Sequence, residues 1–183
     1  MQLLAFLPVL LASSGLASPV CRNVNQPIYT LRLASPEPSL HNRPLTITNN
    51  STLGVSASPE VKDEVHFYTV VNPTTGLAEL HTSSPVNDAT LTLIGSNGVL
   101  DFTPLKNPAA VTVPVGTTVD WTSFELDEGT PGEGTVKYVG KEGRWVMFPE
   151  GDEWELKWRS ADAWTIETYI PVQVVYELVK EQN

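Results

Sequence analysis

Cysteine is nearly absent: Cys21 is the one thiol in 183 residues, so no internal disulfide can staple the fold. A domain of this length needs none, because it buries roughly 70% of its unfolded surface. Basic residues are scarce, 11 Lys and Arg against 21 Asp and Glu, and the net charge is -10. That balance excludes a nucleic-acid partner, whose phosphates need clustered Lys and Arg. It argues equally against an anionic membrane surface. No window sustains a helical period over three turns, and 15 prolines with 12 glycines disfavour a helical bundle. Catalytic signatures are missing as well. There is no Gly-x-Ser-x-Gly elbow, no His-Glu-x-x-His and no phosphate loop. No catalytic residue, cofactor or metal is therefore expected.

What is present begins with an apolar run from Leu3 to Leu11, followed by the small residues Gly15, Ala17 and Ser18. This reads as a signal peptide over residues 1–18, although no Lys or Arg precedes the run. The run is about half of the roughly 20 residues that a membrane span needs. No apolar tail follows Val179, so no lipid anchor is expected there. Residues 19–26, with Cys21, form a loose segment, and 27–183 form one β domain. The overlapping sequons at Asn49 and Asn50 fit a surface turn of an exported protein. Secretion to the extracellular space or a cell wall is the expected destination.

Within the domain, short runs rich in Val, Thr, Ile, Tyr and Trp alternate with turn residues, as half-buried strands require. Strands are expected over 28–33, 45–48, 65–71, 90–94, 99–103, 111–115, 119–126, 135–139, 145–148, 154–158 and 165–178. Asn49-Asn50, Asn97-Gly98, 129–134 and 150–152 supply the turns between them. Two stretches match without gaps at an offset of 45. Thr90–Gly95 with Gly98, Leu100 and Phe102 corresponds to Thr135–Gly140 with Gly143, Trp145 and Met147. A weaker copy runs from Leu45 to Thr48 and on to Leu53 and Val55. Each is read as a strand-turn-strand hairpin. Three such units imply an all-β, β-trefoil-like closure, which leaves no exposed sheet edge. A Greek-key or jelly-roll sandwich is the alternative.

Candidate chemistry is sparse. His41, His66 and His81 lack the spacing of a metal pair. Carboxylates concentrate over 127–155, where a facing pair would suit a glycoside hydrolase. Their neighbouring Gly and Pro instead suggest solvated turn acids. Trp154, Leu156 and Trp158 alternate with Glu153, Glu155 and Lys157. The apolar members are expected in the core and the charged ones on a wet face. A second possibility is that Trp145, Trp154 and Trp158 form a platform on which a sugar stacks. The Gln-x-Trp repeat of lectin trefoils is absent.

Several segments resemble a family of small secreted fungal cell-wall proteins that includes phialide-associated and IgE-binding members. They are Tyr29-Thr30-Leu31-Arg32-Leu33-Ala34-Ser35, Leu40-His41-Asn42-Arg43-Pro44-Leu45 and Ser96-Asn97-Gly98-Val99-Leu100-Asp101-Phe102-Thr103. The Pro114-Val115-Gly116 loop, Gly143-Arg144-Trp145 and Glu153-Trp154-Glu155-Leu156 extend the likeness. Members commonly carry internal cysteines, and this chain has none after Cys21. The family has no assigned catalytic residues. The resemblance implies a non-enzymatic protein of the fungal wall or extracellular space. Its partner would be a wall glycan or an extracellular protein. The alternatives are a trefoil binding module, either a glycan-binding lectin or a protease inhibitor, and a carboxylate-based hydrolase.

Overall fold

The structure is a computed structural model and describes residues 26–56, 64–83 and 88–179. The expected signal peptide over 1–18, Cys21 and all but Gln26 of the expected loose segment over 19–26 lie outside the described residues. Gln26 is described, and its side-chain amide donates to the Thr69 carbonyl at 2.6 Å.

The described residues are all β apart from one short 3-10 turn, Pro108–Ala110. In order, the strands are β1 Tyr29–Ala34, β2 Thr46–Ile47, β3 Leu53–Ser56, β4 His66–Val71, β5 Ala78–Thr82, β6 Thr90–Ser96, β7 Val99–Leu105, β8 Thr118–Asp120, β9 Phe124–Thr130, β10 Glu133–Tyr138, β11 Gly143–Glu150, β12 Glu153–Ser160, β13 Ile170–Pro171 and β14 Gln173–Leu178. All belong to one 14-stranded sheet, and every pairing is antiparallel. Within it, six strands close a barrel in the circular order β1, β4, β5, β9, β10, β14. The seam is the register pair Ala78↔Phe124, and both residues are buried. Closure leaves these strands no free edge.

The barrel strands show the inward period that closure needs. Leu31 and Leu33 on β1, Phe67 on β4, Leu80 on β5, Phe124 on β9, Val136 on β10 and Val174 on β14 are all at most 2% exposed. Arg32, between the two inward leucines, points outward to Glu177 at 3.0 Å and Glu64 at 3.7 Å.

Three hairpins interrupt the barrel order. β2–β3 lies between β1 and β4, β6–β7 between β5 and β9, and β11–β12 between β10 and β14. β6–β7 turns through Asn97 and Gly98, at φ 54 and 78. That two-residue turn carries the twist of the flanking strands, and asparagine and glycine tolerate its left-handed backbone. The hairpins meet on β12, which pairs with β3 through Glu153–Glu155 and with β7 through Lys157–Arg159. A Cβ at Gly54 would overlap the Trp154 carbonyl, so glycine lets β3 approach β12. Trp145 and Trp158 face one another across β11–β12 and pack with Phe102 and Tyr138 at centroid distances of 5.2–5.3 Å.

Several expectations need correction. The matched stretch at 135–147 is no hairpin: β10 pairs with β9 and β14, and β11 with β12 and β13. The offset of 45 therefore laid a barrel strand over a hairpin strand, because both alternate alike. The third hairpin lies one strand later. Residues 111–115 are not a strand, and Val115 is fully exposed. Strand β5 was not expected, although Ala78 and Leu80 carry its inward alternation. The run over 165–178 contains only β13 and β14. On β12, Leu156 and Trp158 are buried, but Trp154 is only half-buried. Glu153 and Glu155 are buried rather than wet, because Asn49 and Asn50 of the β2–β3 turn lie against their carboxylates.

Replacing Trp158 by alanine is expected to cost about 3–5 kcal/mol of unfolding free energy, the usual loss for a buried large aromatic. Urea denaturation measures it. Trp164→Ala, at a residue 82% exposed, is expected to change stability by at most about 0.5 kcal/mol in the same assay.

Candidate functional site

The three histidines singled out in the sequence do not gather in one place. His41 is exposed on the β1–β2 connection, and its Nδ1 accepts from the Ser35 amide at 3.3 Å. His66 is exposed on β4. His81 on β5 lies between Glu79, 3.0 Å from its Nε2, and the Thr90 hydroxyl, 3.4 Å from its Nδ1. Among the described residues no group of three or more His, Cys, Asp or Glu is placed to hold a metal ion.

The carboxylates over 127–155 lie largely on strands rather than in turns. Asp127 on β9 pairs with Lys137 on β10 at 2.6 Å. Glu153 accepts from the Asn49 amide at 2.9 Å. Glu155, 4% exposed, accepts from the Asn50 side chain at 2.7 Å and from Lys157 at 3.0 Å. Lys157 also reaches Asp101 on β7 at 2.9 Å. Burial alone would raise the Glu155 pKa, but hydrogen bonds from Asn50, Lys157 and Thr52 and the Lys157 charge outweigh it and hold the carboxyl below its usual range. Burial would lower the Lys157 pKa, but Asp101 and Glu155 keep it raised. These groups form a latch. One side chain set on β12 ties down both the β2–β3 turn and β7. The sequon residues Asn49 and Asn50 are exposed members of that turn, and the Asn50 amide already serves the latch.

Trp145 and Trp158 are 4% and 5% exposed. The Trp145 indole donates to the Val136 carbonyl at 2.8 Å. Neither ring has a face left for a ligand, so Trp158 takes the core position expected of it and the alternative, a stacking platform, fails at Trp145 and Trp158. Trp154, packed partly against the core, lies beside β3. The large apolar side chains that do reach solvent include Trp164 and Ile166, at 82% and 83% exposure, on the connection from β12 to β13. Ala161-Asp162-Ala163-Trp164-Thr165-Ile166 is not a strand, so the alternation read into residues 165–178 misplaced Ile166 and left Trp164 unmarked. Beneath this connection, Tyr169 packs against Phe148 at 5.7 Å, and the Arg159 guanidinium lies over the Tyr169 ring at 5.2 Å. Arg159 also donates to the Ala163 carbonyl, which anchors the near end of the connection.

An open groove of about 630 Å³ lies between residues 34–36 and His41, the start of β11 at Gly143 and Arg144, and residues 171–173. Arg144 stands directly opposite Arg159 in the β11–β12 register. Sequence reasoning missed Arg144, whose neighbours Gly143 and Trp145 have structural roles. Comparison with protein-family models, with curated proteins and with solved structures finds no match for this chain.

The depressed Glu155 carboxyl fixes the direction of acid sensitivity. Its contribution is fully present above the unfolded carboxyl value of about 4.3 and is lost as pH falls through the lower folded value. Urea denaturation from pH 7 downward should therefore show a stability loss confined to the acid limb. Glu155→Gln should flatten that limb and cost about 1–3 kcal/mol near neutrality, where it weakens the buried pairing.

Proposed function

We propose that the domain is a β-trefoil and that the protein is a secreted, non-enzymatic glycan-binding protein of a fungal wall or extracellular space. The closed six-strand barrel with a hairpin in each of three successive β-hairpin-β units supports the trefoil. The apolar run at Leu3–Leu11 and the family resemblance support export and the wall. The observation that carries the binding role is the exposed pair Trp164 and Ile166. A barrel without edges has no need of them for folding, and an exposed indole presents a broad apolar face with a polar edge. Wall glycan is the partner with matching alternation of apolar ring faces and hydroxyls. The carboxylates over 127–155 support a non-catalytic reading. Asp127 and Glu155 are engaged in ion pairs, and Glu153 holds the β2–β3 turn.

One observation favours a second reading, a protease inhibitor. Val115 is fully exposed between Pro114 and Gly116, whose φ is 87. A rigid loop of that kind suits insertion into a protease cleft.

Co-sedimentation with insoluble wall polysaccharides tests the first reading. The folded protein is expected to bind, and Trp164→Ala to weaken binding roughly 30-fold, as loss of about 2 kcal/mol at a hot-spot aromatic implies. Wall binding that is unchanged by Trp164→Ala, or absent altogether, overturns it. Inhibition of a serine-protease panel that disappears on Val115→Gly would favour the second reading instead.

A further inference from the structure

We infer that the groove beside Arg144 binds the carboxylate of an acidic sugar, a uronic acid residue of a polysaccharide. The inference rests on the glycan-binding reading and specifies the charge of the ligand and a site that the exposed Trp164 does not define.

Charge allocation carries it. In a chain of net charge -10, cations are expected to be engaged by the surplus of acids. Arg32, Lys137, Lys141 and Lys157 each pair with a carboxylate, and Arg43 and Arg159 donate to carbonyls. Arg144 is exposed and has no partner among the described residues. The groove it lines includes His41 and no acidic residue. A donor-rich, acid-free groove on an acidic protein is electrostatically complementary to an anion.

Two further observations point the same way. Arg144 and Arg159 stand directly opposite on β11 and β12, a like-charge pairing that costs stability unless an anion offsets it. Arg159 does not line the groove and is held by the Ala163 carbonyl and the Tyr169 ring, so the guanidinium offered to a ligand is that of Arg144. On the other wall, the Ser35 amide occupies Nδ1 of His41, which leaves Nε2–H of the neutral ring as a donor. Gln173 adds an exposed amide on the groove wall. The guanidinium fork matches the two oxygens of a carboxylate, and the groove volume of about 630 Å³ falls in the range of small-ligand sites, roughly 300–1,000 Å³.

The test is calorimetric titration of the folded protein with trigalacturonate, with a neutral galactose trisaccharide and with inorganic phosphate. Trigalacturonate is expected to bind more tightly than either. Arg144→Gln should weaken it at least about tenfold, the loss of one charge-assisted contact. Gln173→Glu, which places an acid in the groove without touching the core, should weaken it similarly. Lys106→Gln removes another unpaired exposed cation, outside the groove, and should leave binding unchanged. Equal weakening by Lys106→Gln means general charge attraction and overturns the site. No trigalacturonate binding, or binding that survives Arg144→Gln, overturns it as well. Phosphate binding as tight as trigalacturonate overturns the carboxylate assignment. If the neutral trisaccharide binds equally and depends on Trp164, the acidic specificity fails while the glycan-binding reading stands.

Discussion

Strand β12 is the constraint on which the rest of the structure depends, because all three hairpins share it. It forms the third hairpin with β11, pairs with β3 of the first through Glu153–Glu155, and with β7 of the second through Lys157–Arg159. Each hairpin alone would be marginal in water. Joined on β12, they bury Leu53, Leu100, Trp145, Leu156 and Trp158 in one core with the barrel residues Phe124 and Tyr138. The buried charges follow from the same arrangement. Glu155 and Lys157 lie where two neighbouring strands arrive, and they are tolerable there because Asn50 and Asp101 complete their hydrogen bonding.

The fold was legible where local pattern and tertiary role agree. The β6–β7 hairpin, with Asn97-Gly98 between alternating runs, is readable from its turn chemistry alone. The inward residues of β1 and β14 follow from period two. The third hairpin was misplaced because barrel and hairpin strands share that period, and nothing local separates Thr135–Tyr138 from Gly143–Met147. The wet face expected for Glu153 and Glu155 failed for a nonlocal reason: Asn49 and Asn50, in a turn about a hundred residues earlier, bond to the two carboxylates. Residues 111–115 carry β-prone valines, yet Pro114 and the preceding 3-10 turn keep them from joining the sheet.

The candidate site was less legible than the fold. A tryptophan in a strand pattern signals a core position, and Trp145 and Trp158 obey that rule. Trp164 is informative because it breaks it, which only the absence of alternation around it hints at. Arg144 appears in the sequence only as the middle of Gly143-Arg144-Trp145, with nothing that marks it as a binding residue. Its significance comes from the allocation of partners across the whole surface, which requires the register of β11 with β12 and the placement of every acid. The closed barrel and its hairpins hold the buried core, and the β12–β13 connection and the groove, where recognition is proposed, lie outside it.

Native-state hydrogen exchange tests the central claim, that the three hairpins are locked together through β12. The amides of Leu156 and Trp158 should exchange in the slowest class together with the barrel strands, and the ladder amides of β3 and β7 should open with them as one unit. Faster exchange in β12 than in the barrel, or separate opening of the three hairpins, would contradict the account.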